Sequence, residues 1–202
     1  MRLTLDHIAV SVADLDAGSA EVEAALGVPL AGGGRHERMG THNRLLGLGD
    51  VYLEVIAIAP DMDAPPHPRW FDLDRFEGAP RVTNWICRTD DLDAMVHRFP
   101  HAGRSIALTR GDLRWRMAVP ADGRLPFDNC FPALIEWEGE AHPAPRLPEA
   151  GCRLKMLTVF HPEAERLAGV LRPMLNEPRV EFAPGPPGLA IEVETPAGLR
   201  WL

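Results

Sequence analysis

MRLTLDHIAVSV, residues 1–12, runs directly into ADLD, residues 13–16, and the reading of that stretch decides the fold. Period-two alternation sets His7, Ala9 and Ser11 on one face of a strand and Ile8, Val10 and Val12 on the other. The second face is apolar enough to lie under a helix, while the first carries an imidazole and a hydroxyl. The same pattern returns as VTNWICRTDDLDAM at 82–95 and more faintly as RLKMLTVFHPEAERL at 153–167. Three strand-then-helix openings in one short chain predict an internally repeated fold.

Outward from the first opening, Asp14 is the expected N-cap of a helix in which Leu15, Val22, Ala25 and Leu26 recur at helical spacing. Gly27 stops it. A glycine-rich approach, VPLAGGGRHERMG, leads to the strand GTHNRLLGLG and then to VYLEVIAI, where Tyr52, Glu54 and Ile56 share a face. The first unit therefore reads β-α-β-β-β over residues 1–58. Residues 59–80 form a connector whose five prolines exclude a continuous helix or central strand, and whose Trp70, Phe71 and Phe76 predict packing onto the surface.

The second unit spans 81–140. Asp90 is the expected cap of a helix with the stripe Leu92, Met95, Val96 and Phe99, ended by Pro100. In the strand LRWRMAV, Leu113, Trp115, Met117 and Val119 face one way, and Arg114 and Arg116 the other. ALIEWEG closes the unit. Residues 150–202 read as a shortened third unit of one helix and several strands. Its strand RLKMLTVF is apolar on both faces and needs neighbours, so it is expected to pack on the other two units.

Composition bounds the function. The chain has 202 residues, 46% of them apolar, and a formal charge of −8. That is an ordinary globular composition, and the negative charge argues against nucleic acid or an anionic membrane as partner. No run approaches the ~20 apolar residues that span a bilayer, and no secretory signal is expected, since no basic region followed by an apolar core opens the sequence. Three widely spaced cysteines, Cys87, Cys130 and Cys152, match neither a disulfide framework nor a metal knuckle, and point to reduced thiols in the cytoplasm.

Aligning the helix starts, Asp14-Leu15 on Asp91-Leu92, puts His7 on Asn84. Aligning the closing strands, YLEV on LIEW, puts Glu54 on Glu136. With these residues in place the sequence resembles the glyoxalase-like domain group of the vicinal oxygen chelate superfamily. LDHIAVSVADLD, GTHNRLLGLGDVYLEVIAI, NWICRTDDLDA and LPFDNCFPALIEW, within residues 3–138, carry the resemblance. It implies an α+β fold: paired βαβββ modules forming a cupped mixed sheet with helices outside, here with a truncated third module. It also implies a small-molecule enzyme of the lyase, isomerase or dioxygenase type. The ligand positions fall on the first and last strand of each module, so His7, Glu54 and Glu136 would hold a divalent metal (Fe, Mn, Ni or Zn), with Glu136 or Glu54 as the proton-transfer base.

Asn84 departs from that pattern, because an amide oxygen is a weak neutral donor to a transition metal. The alternative is a metal-free protein that binds or sequesters a small molecule in the same cup. Asn43 and Asn84 are expected to line that cup. Arg88, Arg114 and Arg116 either hold an anionic substrate or pair with the glutamates on a solvated strand face. A small-molecule substrate is the expected partner, and a homodimer is left open.

Overall fold

A computed structural model describes residues 2–202. The first opening forms β1 (Thr4–Ser11) and α1 (Leu15–Leu26), followed by β2 (Ala31–His36), β3 (Thr41–Gly47) and β4 (Tyr52–Ile58). Asp14 caps α1 by accepting from the Ala17 backbone N–H at 2.8 Å, and Gly27 ends it in the left-handed conformation, φ 73°. The connector holds a 3-10 turn at Trp70–Arg75 that buries Trp70, Phe71 and Leu73. The second opening gives β5 (Arg81–Arg88), α2 (Leu92–Arg98), β6 (Arg104–Arg110), β7 (Leu113–Val119) and β8 (Ala133–Trp137). Asp91, not the expected Asp90, caps α2, with its carboxylate 2.9 Å from the Ala94 N–H. The cap must sit three residues before the amide it satisfies, and only Asp91 does.

Both units enter one eight-stranded sheet of order β2-β3-β4-β1-β5-β8-β7-β6. In each, the first strand pairs parallel with the last, and β1 joins β5 antiparallel at the centre. The β1–β5 register is symmetric: His7 lies opposite Ile86, Ile8 opposite Trp85, and Ala9 opposite Asn84. Exchanging the strands therefore carries His7 onto Asn84 and Ala9 onto Ile86, and the two bulges in the ladder, at Asp6 and Thr83, onto each other. The sheet curls until its edges meet. Arg38 on the β2–β3 turn donates to the Ala107 carbonyl of β6 at 2.8 Å.

The remainder supplies β9 (Arg153–Phe160), α3 (Ala164–Leu171), β10 (Val180–Ala183), β11 (Gly188–Thr195) and β12 (Gly198–Trp201), a separate sheet of order β10-β9-β11-β12. Its apolar side chains belong to the same continuous core as the first two units. Phe182 packs edge-on to Trp85 on the convex side of β5, and Leu3 donates to the Met174 carbonyl at 2.9 Å. No helix among the described residues is long and apolar enough to cross a membrane.

Gly18 shows how tightly α1 seats on the sheet. A Cβ there would lie 2.4 Å from the Val12 Cβ. Gly→Ala inside a helix ordinarily gains about 1 kcal/mol, but this one overpacks a closed contact. Gly18→Ala is expected to lower the unfolding free energy by about 1–3 kcal/mol, read from urea denaturation. A stabilised variant would show that α1 is not held against Val12.

Candidate functional site

The concave face of the sheet is polar at one end and aromatic around it. His7 and Glu54 meet there because Ala9, two residues beyond His7, pairs with Glu54 in the β1–β4 ladder. His7 Nε2 lies 3.5 Å from Glu54 Oε2, and both side chains are buried. Glu54 Oε1 accepts from Asn43 Nδ2 at 2.5 Å. Asn43 is itself pinned by β2: its Oδ1 accepts from the Gly34 N–H at 2.8 Å. A Cβ on Gly33 would sit 2.1 Å from the Asn43 carbonyl oxygen. The glycine run at 32–34 thus serves close backbone approach at the site.

The other nitrogen of His7 is taken by Asp6. His7 Nδ1 is 2.6 Å from Asp6 Oδ1, and Asp6 Oδ2 accepts from Trp137 Nε1 at 3.1 Å and meets His142 Nε2 at 2.9 Å. Strict alternation places Asp6 and His7 on opposite faces. The bulge at Asp6 breaks the alternation and turns both toward the same end of the cup. Burial by itself would lower the His7 pKa, but the Asp6 hydrogen bond and then Glu54 outweigh it and raise it to about 9. Glu54 moves the other way: burial raises it, yet His7 and Asn43 bring it down to about 2. Asp6 lies well below the usual carboxylate range, its burial more than offset by His142 and His7. The end of the cup therefore holds an imidazolium between two carboxylates, with Tyr52 stacked on the imidazole ring at 4.4 Å.

Beside this group stands a second imidazole of opposite character. Burial lowers His36 to about 4, so it is neutral at physiological pH. Its Nε2 faces two donors, Asn43 Nδ2 and Arg110 Nη1, each at 3.5 Å, so Nε2 accepts and Nδ1 carries the proton toward Thr41 Oγ1 at 3.0 Å. Arg110, at the end of β6, reaches across the closed edge of the sheet and donates to Asn43 Oδ1 at 3.3 Å. No carboxylate among the described residues pairs with it. Trp70, Phe71, Trp115 and Trp137 wall the cup, and the free volume inside is about 20 Å³, room for about one water.

The expected site residues divide. His7, Glu54 and Asn43 converge. Asn84 is fully buried and holds in the second unit the place of His7 in the first, yet neither side-chain atom has a partner. Glu136 does not join them. It lies on the convex face, where Oε2 accepts from the Leu92 N–H at 2.8 Å and from Arg116 Nη2 at 2.7 Å. The β5–β8 register explains this: Ile86 pairs with Ala133 just as Ala9 pairs with Glu54, so Ala133 stands where Glu54 does in the first unit. Laying YLEV on LIEW misses that by an odd number of residues, which reverses the face. Arg116 pairs with Asp93 as well as Glu136, Arg114 is exposed on the same convex side, and Arg88 lies 3.6 Å from Asp6 Oδ2 at the outer end of the cup.

A divalent metal does not fit these residues as they stand. Of the four ligand positions, Ala133 offers no donor, Asn84 offers an amide, and His7 has both nitrogens committed to carboxylates. Among the described residues no three His, Cys, Asp or Glu side chains are grouped to hold an ion. The three thiols are free and buried, and burial pushes Cys87 well above its usual pKa, so none is a ready nucleophile. Sequence reasoning missed Asp6, His36 and Arg110. The isolated HER and RGD segments carry no periodicity that would assign them to a site.

Comparison with known proteins places residues 5–175 on the model of a family described as glyoxalase-like domain. No curated protein matches the chain. A crystal structure of a hypothetical protein from Staphylococcus aureus is similar with a TM-score of 0.57 and 16% identity, over 83% of this chain and 73% of that one. Methylmalonyl-CoA epimerase from Mycobacterium tuberculosis aligns with a TM-score of 0.44 and 22% identity, covering 68% of this chain and 88% of its own. The Streptomyces coelicolor methylmalonyl-CoA epimerase, as a variant in complex with 2-nitronate-propionyl-CoA, aligns at 0.45 and 19%, covering 69% and 99%.

Proposed function

We propose, from the premise that the chain belongs to the glyoxalase-like domain family, that its cup binds a small organic acid and moves a proton on it without a metal. One observation carries the reading: the His7–Glu54 pair and the unpaired Arg110 guanidinium face the same aromatic cup, bridged by Asn43. Arg110 matches a carboxylate in shape and charge. Glu54 then meets a hydroxyl, ammonium or C–H proton on the adjacent carbon.

Two titratable groups in contact have pKa values pushed far apart, about 9 for His7 and about 2 for Glu54. At neutral pH this leaves Glu54 as the unprotonated member, able to accept a proton, and His7 as the protonated one. The His7 imidazolium supplies a fixed positive charge where an enolate or alkoxide oxygen would develop, in a site shielded from water. Asp6 keeps it charged. Because the cup holds about one water as it stands, ligand entry requires its aromatic wall to move.

Proton exchange tests this directly. In deuterated buffer, glycolate, lactate, pyruvate and alanine are followed by NMR for deuterium uptake next to the carboxylate, and calorimetry measures their binding. Exchange is expected on at least one of them, reduced about 100-fold in Glu54→Gln. Binding is expected to weaken about tenfold or more in Arg110→Met, the loss of one charge-assisted pair. The second reading, a binding protein without chemistry, is favoured by the low Glu54 pKa, since a carboxylate near 2 is a weak base at neutral pH. Arg110-dependent binding without exchange would establish it, and no binding of any of the four acids would overturn both readings.

A further inference from the structure

A second cavity, of about 270 Å³, adjoins the cup, and Phe71 lines both. Four parts of the chain build it: the connector at Phe71–Phe76, the start of β5 at Arg81–Thr83, the loop at Asp128–Cys130, and Gly188 and Leu189 of the third sheet. Among the described residues five non-glycines have positive φ: Phe71, Asp72, Phe127, Asp128 and Asn129. Four of the five line this cavity. Such conformations cost on the order of 1–3 kcal/mol each and persist where the surroundings over-determine them. One bond joins the two strained segments, Asn129 Nδ2 donating to Asp72 Oδ2 at 3.4 Å, and the Asp72 N–H donates to the Gly123 carbonyl ahead of the second segment at 3.0 Å.

Asn84 lines neither space but is held between residues that do. It pairs with Ala9, which pairs with Glu54 in the cup, and it follows Val82 and Thr83, which line the cavity. Both its amide atoms are fully buried and unpartnered. Leaving a buried donor and acceptor unmade costs about 1–3 kcal/mol per group, so the position calls for a polar visitor. At the cavity mouth, Arg81 donates only to backbone carbonyls, those of Glu77 and Ala79, and lies over the Phe76 ring at 4.3 Å. The acidic groups around the cavity are already engaged, Asp72 with Arg75 at 2.6 Å and Asp128 with His161 at 3.3 Å.

We infer that this cavity is a second subsite, which takes the distal acidic end of an elongated organic acid on Arg81 while the reacting end lies in the cup and Asn84 contacts the part between. The inference rests on the proposed function of the cup for its first end and adds the length and second charge of the substrate. Leu189, Val82 and Phe76 suit a short hydrocarbon spacer, and the third sheet acquires a direct part in the site.

Calorimetry on the full chain with lactate, hexanoate and the α,ω-dicarboxylates from succinate to suberate tests it. One dicarboxylate is expected to bind about tenfold more tightly than hexanoate, the worth of one further charge-assisted contact. That gain should vanish in Arg81→Met, which leaves lactate binding unchanged. Asn84→Ala should weaken the same dicarboxylate without lowering the melting temperature, because it deletes two unpaired groups. If lactate binding needs Arg110 and no dicarboxylate gain depends on Arg81, the subsite falls and the cup reading stands. If dicarboxylates need Arg81 but bind Arg110→Met as well as the unaltered chain, the cavity stands and the cup reading falls. If none of the acids binds, both fall.

Discussion

Replacing Asp6 by alanine is expected to lower the unfolding free energy by about 3–5 kcal/mol, the cost of stripping one partner from a buried ion pair. For a chain of this size each kcal/mol moves the melting temperature by roughly 2–4 °C, so the loss is plain in a thermal melt. Asp6 is fully buried and serves His7, His142 and Trp137 at once. Removing it leaves three donors short of an acceptor and an imidazolium balanced only by Glu54 at 3.5 Å. Asp6→Asn separates charge from shape: it keeps an acceptor for His7 but no longer holds the ring protonated.

The pH profile of the unaltered chain follows from the same groups. His7 is raised from 6.5 to about 9, so its stabilisation is complete below pH 6.5 and is lost as pH rises through 9. His36 is depressed from 6.5 to about 4, so the unfolded chain takes up that proton first and stability falls as pH drops from 6.5 toward 4. Glu54 is depressed from 4.5 to about 2, so its contribution is complete above 4.5 and fades as pH falls through 2. Stability is therefore expected to peak near pH 6.5 and to decline on either side by up to ~1.4 kcal/mol per pH unit for each proton. Urea denaturation across pH 4–9 checks it. In Asp6→Asn the alkaline decline should flatten, because His7 loses the larger of the two partners that raise it. An unchanged alkaline limb in that variant would show that Asp6 does not hold the His7 charge.

Ending the chain before Cys152 is expected to leave the rest insoluble or less stable by several kcal/mol, each large apolar side chain uncovered or lost being worth about 1.5–3 kcal/mol. Trp85 is fully buried on the convex face of β5, and Phe182 is part of what covers it. Leu154, Leu157, Val159, Ile191 and Val193 are all buried in the same core. Truncation also strips backbone partners: the Leu3 N–H donates to Met174 at 2.9 Å and the Leu154 N–H to Leu48 at 3.4 Å. Expression of residues 1–151 followed by thermal melting decides the matter. A soluble fragment melting with the full chain would make the third sheet an appendage.

How much of this was legible in the chain can be traced residue by residue. The two openings, LDHIAVSVADLD and VTNWICRTDDLDAM, carried the repeat, the helix caps to within one residue, and the face shared by His7 and Ala9. YLEV carried the parity of Glu54. These are local properties, since alternation along a strand and a cap before a helix depend on a handful of neighbouring residues. The equivalence of His7 and Asn84 was legible for the same reason: both lie seven residues before the aspartate that caps the following helix.

What the tertiary structure decided was everything that depends on register between distant segments. Glu136 looks like Glu54 in its local setting, but the pairing of Ile86 with Ala133 sets its parity, and no residue near 136 encodes that pairing. Asp6 joined the site through a bulge in the ladder with β5, and Arg110 through closure of β6 onto β2, both contacts between residues far apart in sequence. A strand's side chains alternate by its own geometry, whereas which of them meet is set by one integer, the offset to its neighbour. That offset is settled by the packing of the whole sheet, and a shift of a single residue exchanges the cup face for the convex one.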